Sequence, residues 1–162
     1  MTIFLVRHAH AGSRSRWTGD DSLRPLSARG HEQANGLVAV IGDAPIGHIL
    51  SSPYVRCMET VVPLAAARGL AVEPVDALAE GAAVRDTLAL IAKHAGAGAV
   101  MATHGDVIPA VLSALARRGV AVDPDARSPK GCTWILRTDA TGDVTKVRYV
   151  PPPAAVGEDE DS

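Results

Sequence analysis

The stretch Ile3-Phe4-Leu5-Val6-Arg7-His8 decides the fold, because four apolar residues run directly into an arginine and a histidine. It has a counterpart downstream, where Ala99-Val100-Met101-Ala102 runs into Thr103-His104-Gly105. Short uninterrupted apolar runs are typical of strands buried in a parallel sheet. Since ligands of open α/β sheets bind outside the carboxyl ends of the strands, we expect Arg7, His8 and His104 to face one crevice.

Extended and helical patterns alternate along the rest of the chain. We predict strands over four ranges: Thr2–Arg7, Gly47–Ser51, Leu70–Val75 and Ala99–Thr103. Helical spacing of apolar residues follows these strands, as after Ser27 and after Pro53. An antiparallel hairpin, Cys132–Arg137 with Val144–Tyr149, is expected at the edge of the sheet. The pattern predicts an α/β fold, a three-layer α/β/α sandwich with a mostly parallel central sheet.

Length and composition indicate one globular domain. The chain has 162 residues and is 47% hydrophobic, enough for a substantial core. We assign residues 1–150 to the domain and interpret residues 151–162, a proline run followed by acidic residues, as a disordered tail.

Charge and hydropathy exclude several classes of partner. The formal net charge is −2, and without the four acidic residues at 158–161 the body is about +2, with no basic run. We therefore expect neither a nucleic-acid polymer nor a membrane as partner. The first apolar run is too short for a signal peptide, which predicts a cytoplasmic protein. Cys57 and Cys132 lack metal-ligand spacing, so no metal or disulfide is expected.

The residues at the strand ends suit phosphate chemistry. A neutral imidazole can attack phosphorus directly and later be released by water. Phosphoryl transfer otherwise requires alignment and neutralisation of the nonbridging oxygens, which arginines supply well. His8 is the candidate nucleophile, and Arg7, Arg56 and His104 are the candidate phosphate ligands.

Three motifs resemble the signatures of the histidine phosphatase, or phosphoglycerate-mutase-like, superfamily. They are Leu5-Val6-Arg7-His8, Ser51-Ser52-Pro53-Tyr54-Val55-Arg56-Cys57-Met58-Glu59-Thr60 and Thr103-His104-Gly105, within a match from Thr2 to about Tyr149. The resemblance implies a phosphoglycerate-mutase-like fold, a phosphorylated His8, a phosphate pocket of Arg7, Arg56 and His104, and no metal or other cofactor. It also implies that Glu80 protonates the leaving oxygen.

Two residues depart from the family pattern. Ala9 stands where glycine usually follows the nucleophile, which predicts a slightly altered loop. His10 replaces an acidic or amide residue, and could touch substrate or face water. Elsewhere, Asp20 and Asp21 are interpreted as a solvated loop, and Asp106 as the residue that opens the helix after His104.

The substrate stays open at this stage. The small size favours a phosphatase over a phosphoglycerate mutase, and the chain resembles the short SixA-type phosphohistidine phosphatases. The loop Gly12-Ser13-Arg14-Ser15-Arg16-Trp17, with Asp20-Asp21 and Arg24-Pro25-Leu26, resembles most the phosphatase domain that follows a Nudix domain in some bacterial nucleotide hydrolases. The first predicts a phosphohistidine protein as partner, the second a phosphorylated small molecule such as a nucleotide. For the second, Arg14 and Arg16 are candidates for a further phosphate and Trp17 for stacking on a base, although Trp17 could instead pin the loop. Gly105 is a further candidate substrate contact.

A hypothesis from another class is a domain that binds phosphorylated ligands without turning them over. The complete set of nucleophile and phosphate ligands favours the enzyme. The sequence predicts no oligomeric state.

Overall fold

The computed structural model describes residues 1–154, which form a six-stranded sheet and four α-helices. In chain order these are β1 Thr2–Arg7, α1 Ala28–Ile41, β2 His48–Ser51, α2 Val55–Arg68, β3 Val72–Pro74, α3 Val84–His94, β4 Ala99–Thr103, α4 Val107–Arg117, β5 Thr133–Thr138 and β6 Val144–Val150. Short 3-10 helices lie at Arg14–Arg16, Asp21–Leu23 and Asp76–Leu78. None of the described helices is long and apolar enough to span a membrane.

The sheet has the strand order β3-β2-β4-β1-β5-β6. The first four strands in that order are parallel, and β5 and β6 complete the sheet as an antiparallel hairpin. This arrangement confirms the predicted mostly parallel sheet and its edge hairpin. In the pairing of β1 with β4, Arg7 lies opposite Thr103, so the residues that follow both strands emerge side by side.

The sheet has a hydrophobic cluster on each face, so the molecule has three layers. Leu5 and Met101 point from the sheet toward α3 and α4, where Ile91 and Val111 belong to the same buried cluster. The alternate strand residues, such as Val6, pack on the other face with residues of α1 and α2. The α/β/α sandwich predicted from the sequence is therefore confirmed.

The third strand is shorter than predicted, running over Val72–Pro74 instead of Leu70–Val75. Leu70 is not free to pair in the sheet, because its N–H donates to the carbonyl of Ala65 at 3.1 Å and closes the end of α2. Strand pairing can begin only after that closing turn.

Packing against the domain continues past Val150. Pro153 lies against Gly36 of α1, where an added Cβ would be 2.5 Å from the proline Cβ. Residues 151–154 have no helix or strand. The remainder of the predicted disordered tail, residues 155–162, lies outside the described residues.

Candidate active site

Two histidines stand at the ends of neighbouring strands. His8 follows β1 and His104 follows β4, and their ring centroids are 5.6 Å apart. The backbone N–H of His8 donates to the carbonyl of Thr103 at 2.9 Å, which fixes one strand end to the other. Both residues are buried, 5% and 1% exposed. The strand pairing therefore brings His8 and His104 into one crevice.

The His8 ring has a defined tautomer and charge. Its Nδ1 lies 2.8 Å from the carbonyl oxygen of Ala9. Because a carbonyl can only accept, Nδ1 carries the hydrogen and Nε2 keeps its lone pair. Burial lowers the pKa of His8 to about 3, and the positive charges of Arg56 and Arg7 act in the same direction. At neutral pH, His8 is thus a neutral imidazole whose Nε2 carries a free lone pair.

His104 is held by a hydroxyl that the sequence did not single out. Its Nε2 lies 2.8 Å from Ser52 Oγ, and that oxygen already accepts the N–H of Tyr54 at 3.2 Å. Cys57 Sγ lies 3.5 Å from the same Nε2. In the tautomer that carries its hydrogen on Nδ1, the Ser52 hydroxyl donates to Nε2. Burial, reinforced by Arg56, lowers the pKa of His104 to about 4, although Asp106 acts in the opposite direction. Nε2 is thus held by Ser52 and Cys57, and Nδ1 has no hydrogen-bond partner within the described residues.

Arg7 is the last residue of β1, and its guanidinium packs against the backbone of Gly105. Nη1 donates to the carbonyl of Ser128 at 2.7 Å. A Cβ on Gly105 would lie 2.6 Å from Arg7 Cζ, so the guanidinium fills the space that a side chain would take. Gly105, predicted as a substrate contact, thus makes room for Arg7.

Arg56, in the first turn of α2, is fully buried. Its Nη1 donates to the Asp21 carbonyl at 2.8 Å, and its Nη2 donates to the Asp21 carboxylate at 3.1 Å. Nη2 is also 3.4 Å from Glu80 Oε1. The ring of Tyr54 lies beneath, with its centroid 5.0 Å from Arg56 Cζ. Arg56 is thereby fixed from several sides.

Glu80 lies at the rim of this cluster. Its Oε1 accepts from Arg14 Nη2 at 3.1 Å and is 3.9 Å from His104 Nδ1. Thr103 Oγ1 donates to the carbonyl of Leu78 at 2.6 Å, which ties the preceding 3-10 helix to the end of β4. Asp106 accepts the N–H of Gly81 at 2.8 Å and gives no side-chain cap to α4. The Asp106 carboxylate therefore secures the Glu80 segment, a contact not predicted from the sequence.

The loop of residues 9–26 covers the rim. Arg14 reaches Glu80 with 64% of its side chain exposed, and Arg16 is exposed. The indole N–H of Trp17 donates to the Asp20 carbonyl at 2.9 Å, a contact within the loop. Asp20 is exposed, as predicted, but the solvated interpretation is wrong for Asp21, which contacts Arg56. A local sequence signal could not show this, because the two residues are brought together by the path of the loop.

The two departures from the family pattern are accommodated by α1 and α2. Ala9 is buried and its N–H donates to Thr60 Oγ1 of α2 at 3.0 Å. The N–H of His10 donates to Gln33 Oε1 at 2.9 Å, and its Nδ1 is 2.6 Å from Ser27 Oγ. His10 is thus tied to the beginning of α1.

Three buried nitrogens of this cluster have no hydrogen-bond partner within residues 1–154: Arg7 Nε, Arg56 Nε and His104 Nδ1. Buried polar groups are almost always paired, so unpaired nitrogens in the same cluster as His8 favour a ligand with acceptor atoms. A tetrahedral oxyanion meets cationic and imidazole donors well. Within the same residues, no group of three or more His, Cys, Asp or Glu side chains could hold a metal ion.

Comparisons with known proteins show which family the chain is similar to. The model of the histidine phosphatase superfamily (branch 1) matches residues 3–86. An 8-oxo-(d)GTP phosphatase of Mycolicibacterium smegmatis is 34% identical over 158 residues, covering 94% of this chain and 48% of that protein. The chain therefore spans about half the length of the curated relative that it matches.

Solved structures show the same fold. The protein histidine phosphatase SixA complexed with tungstate superposes with a TM-score of 0.68 at 19% identity, covering 94% of this chain and 96% of that one. A protein of Nakamurella multipartitia described as a putative phosphohistidine phosphatase SixA gives a TM-score of 0.70 at 25% identity, with coverages of 94% and 96%.

Proposed function

The chain belongs to the histidine phosphatase superfamily, and we propose that it hydrolyses a phosphate ester or phosphoramidate through a phosphohistidine on His8, without a metal. The observation that carries the proposal is the set of three unpaired buried nitrogens on Arg7, Arg56 and His104. The His104 ring lies 5.6 Å from that of His8, and the charges of Arg56 and Arg7 lower the pKa of His8. A phosphoryl group beside His8 Nε2 would satisfy them and have its charge neutralised.

The reaction proceeds in two displacements. His8 Nε2 attacks phosphorus, an N–P bond forms, and the bond to the leaving oxygen or nitrogen breaks with a proton taken from Glu80. Water then attacks the phosphohistidine, returns a proton to Glu80, and releases inorganic phosphate and neutral His8. The arginines and His104 hold the nonbridging oxygens through both steps, which is the main requirement of phosphoryl transfer.

For the substrate, we propose a phosphorylated small molecule such as a nucleotide. The support is the 34% identity to the mycobacterial 8-oxo-(d)GTP phosphatase. Arg14 and Arg16, on the exposed loop, would meet a further phosphate, and Trp17, 37% exposed, would offer a face to a base. The alternative is a phosphohistidine protein, and the fold shared with SixA favours testing it.

The test is a rapid-quench incubation with p-nitrophenyl phosphate and no added metal, followed by mass spectrometry for acid-labile phosphate on His8. We expect labelled His8 in the wild type, and neither label nor turnover in His8→Ala. His31→Ala is the matched control, because His31 is exposed on α1. Undiminished turnover by His8→Ala would refute the mechanism.

The same variants separate an enzyme from a binding module. A protein that only binds would bind tungstate equally well in the wild type and in His8→Ala, and neither would carry a phosphate label.

Substrate class is tested by comparing turnover of nucleoside triphosphates with turnover of a phosphohistidine peptide. If a nucleotide is the substrate, Trp17→Ala should raise KM more for the nucleotide than for p-nitrophenyl phosphate. A KM change equal for both would remove Trp17 from the substrate site.

A further inference from the structure

Asp21 is surrounded by arginines. Its carboxylate lies 3.1 Å from Arg56, 3.0 Å from Arg24 and 3.7 Å from Arg14. The first two of these arginines are buried, with exposures of 0% and 6%. One carboxylate on a long loop therefore contacts two buried cations, of which Arg56 also lies near Glu80.

The contact with Arg56 fixes an orientation as well as a charge. Arg56 Nη1 donates to the Asp21 backbone oxygen at 2.8 Å, and Nη2 donates to the Asp21 side-chain oxygen at 3.1 Å. A planar guanidinium whose two Nη atoms both donate hydrogen bonds to one residue cannot rotate freely. Its Nε is the atom left unpaired within the described residues.

We propose that Asp21 is the positioning residue of Arg56, holding the guanidinium so that its Nε–H is directed at the phosphoryl group of the substrate. The inference rests on the proposed function, since it assigns the role of Arg56 in that reaction. Asp21 itself need not touch the substrate.

Asp21 suits this role better than Glu80, the other carboxylate on Arg56. Glu80 Oε1 is farther from Arg56 Nη2, at 3.4 Å. In the proposed reaction Glu80 also gives up a proton and takes one back, so its charge changes during turnover. An orientation that depended on Glu80 would weaken whenever that residue is protonated, whereas Asp21 keeps its charge throughout.

Asp21 is held in turn by its own loop. Arg24 donates through Nε to Asp21 Oδ1 at 3.0 Å and through Nη1 to the Ala11 carbonyl at 2.9 Å. Asp20 caps the 3-10 helix Asp21–Leu23 by accepting the N–H of Ser22 at 2.9 Å. Although burial raises the pKa of Asp21, the nearby Arg24 and Arg56 outweigh it and leave the pKa lowered.

The first experiment compares Asp21→Asn with the wild type, using p-nitrophenyl phosphate. A hydrogen bond to a charged group is worth about 1.5–3 kcal/mol, so we expect kcat/KM to fall roughly 10- to 100-fold in Asp21→Asn. Asp20→Asn is the matched control, because Asp20 is exposed, adjacent and able to cap as asparagine. Its kcat/KM should stay within about twofold of the wild type, as surface substitutions usually do.

A double-mutant cycle with Arg56→Lys separates positioning from general stability. Lysine keeps the charge but not the two-point contact, so Asp21→Asn should add little to the loss already caused by Arg56→Lys. Full additivity of the two losses would overturn the proposal, as would wild-type kinetics in a folded Asp21→Asn. If Asp21→Asn does not fold, Asp21→Glu replaces it in the cycle and must show the same non-additivity.

Failure of the proposed function is a different result. In that case the wild type itself would show no turnover that depends on His8, and the cycle would have no activity to measure. Tungstate affinity of the same four proteins then tests the positioning role alone, with weaker binding expected in Asp21→Asn and non-additivity in the cycle.

Discussion

Gly105 controls the position of an arginine by having no side chain. A Cβ there would lie 2.6 Å from Arg7 Cζ and 2.7 Å from Arg7 Nη2. Since these atoms are the mobile end of a side chain, Gly105→Ala should displace the guanidinium and leave the fold intact. We expect kcat/KM to fall by at least about tenfold, through loss of a charge-assisted contact, with little change in Tm.

The control for Gly105→Ala is Gly96→Ala, since an added Cβ at Gly96 meets nothing within 4 Å. Kinetics and thermal melting of both variants make the comparison. A drop in Tm without a kinetic defect in Gly105→Ala would show that the glycine serves packing and not Arg7.

Glu80 gives a second prediction at this scale. As a general acid it should matter most for a leaving group that cannot depart unprotonated, and its removal then costs about 10²–10⁴-fold. Glu80→Gln should therefore lower kcat/KM far more for an alkyl phosphate than for p-nitrophenyl phosphate. Steady-state kinetics on both substrates decides it, because an equal loss on the two would mean that Glu80 holds Arg14 or Arg56 and transfers no proton.

At the scale of elements, the first turn of α1 is pressed onto the loop that follows His8. A Cβ on Gly30 would overlap the carbonyl oxygen of His10. On helix propensity alone, Gly30→Ala would stabilise α1 by up to about 1 kcal/mol. The overlap with fixed backbone reverses the sign, so urea unfolding should show a destabilised protein. A more stable Gly30→Ala would show that α1 can move off the loop at no cost.

The features that could be predicted from the sequence are those set by residues close together in the chain. Strands β1 and β4 were predicted with their observed bounds, because a short apolar run in the sequence predicts a short buried strand. The placement of His8 and His104 followed, since parallel neighbours end at the same edge. Glu80 was named from the family resemblance alone, which implies a carboxylate in the segment after the third strand.

What sequence could not supply were contacts that depend on the path of the loop over residues 9–26. Asp21 reaches Arg56 across 35 positions of sequence. Ser52 Oγ contacts His104 Nε2 across 52 positions of sequence. The presence of a serine in a motif does not predict which ring nitrogen it contacts. Such contacts follow from tertiary packing, for which neither periodicity nor spacing gives a signal.

For the whole molecule, keeping two histidines neutral and buried links folding to pH. The pKa of His8 is about 3 and that of His104 about 4, both lowered chiefly by burial. In the unfolded chain a histidine titrates near its ordinary value of about 6.5. Below that pH the unfolded chain binds protons that the folded protein does not, so acid favours unfolding.

The expected size of this effect is testable. Stability should be fully present above about pH 6.5 and should fall toward pH 4, each buried histidine contributing up to about 1.4 kcal/mol per pH unit in that window. Urea unfolding at pH 7, 6, 5 and 4.5 measures the slope. Because carboxylates also titrate near the acid end, the informative quantity is the difference between the wild type and His8→Asn, which removes one titrating group and should flatten the slope. The control is His31→Asn, at an exposed position of α1, which should keep the wild-type slope. Parallel curves for all three proteins would mean that His8 titrates alike in the folded and the unfolded chain. His8 would then not enter the reaction as a neutral, desolvated nucleophile.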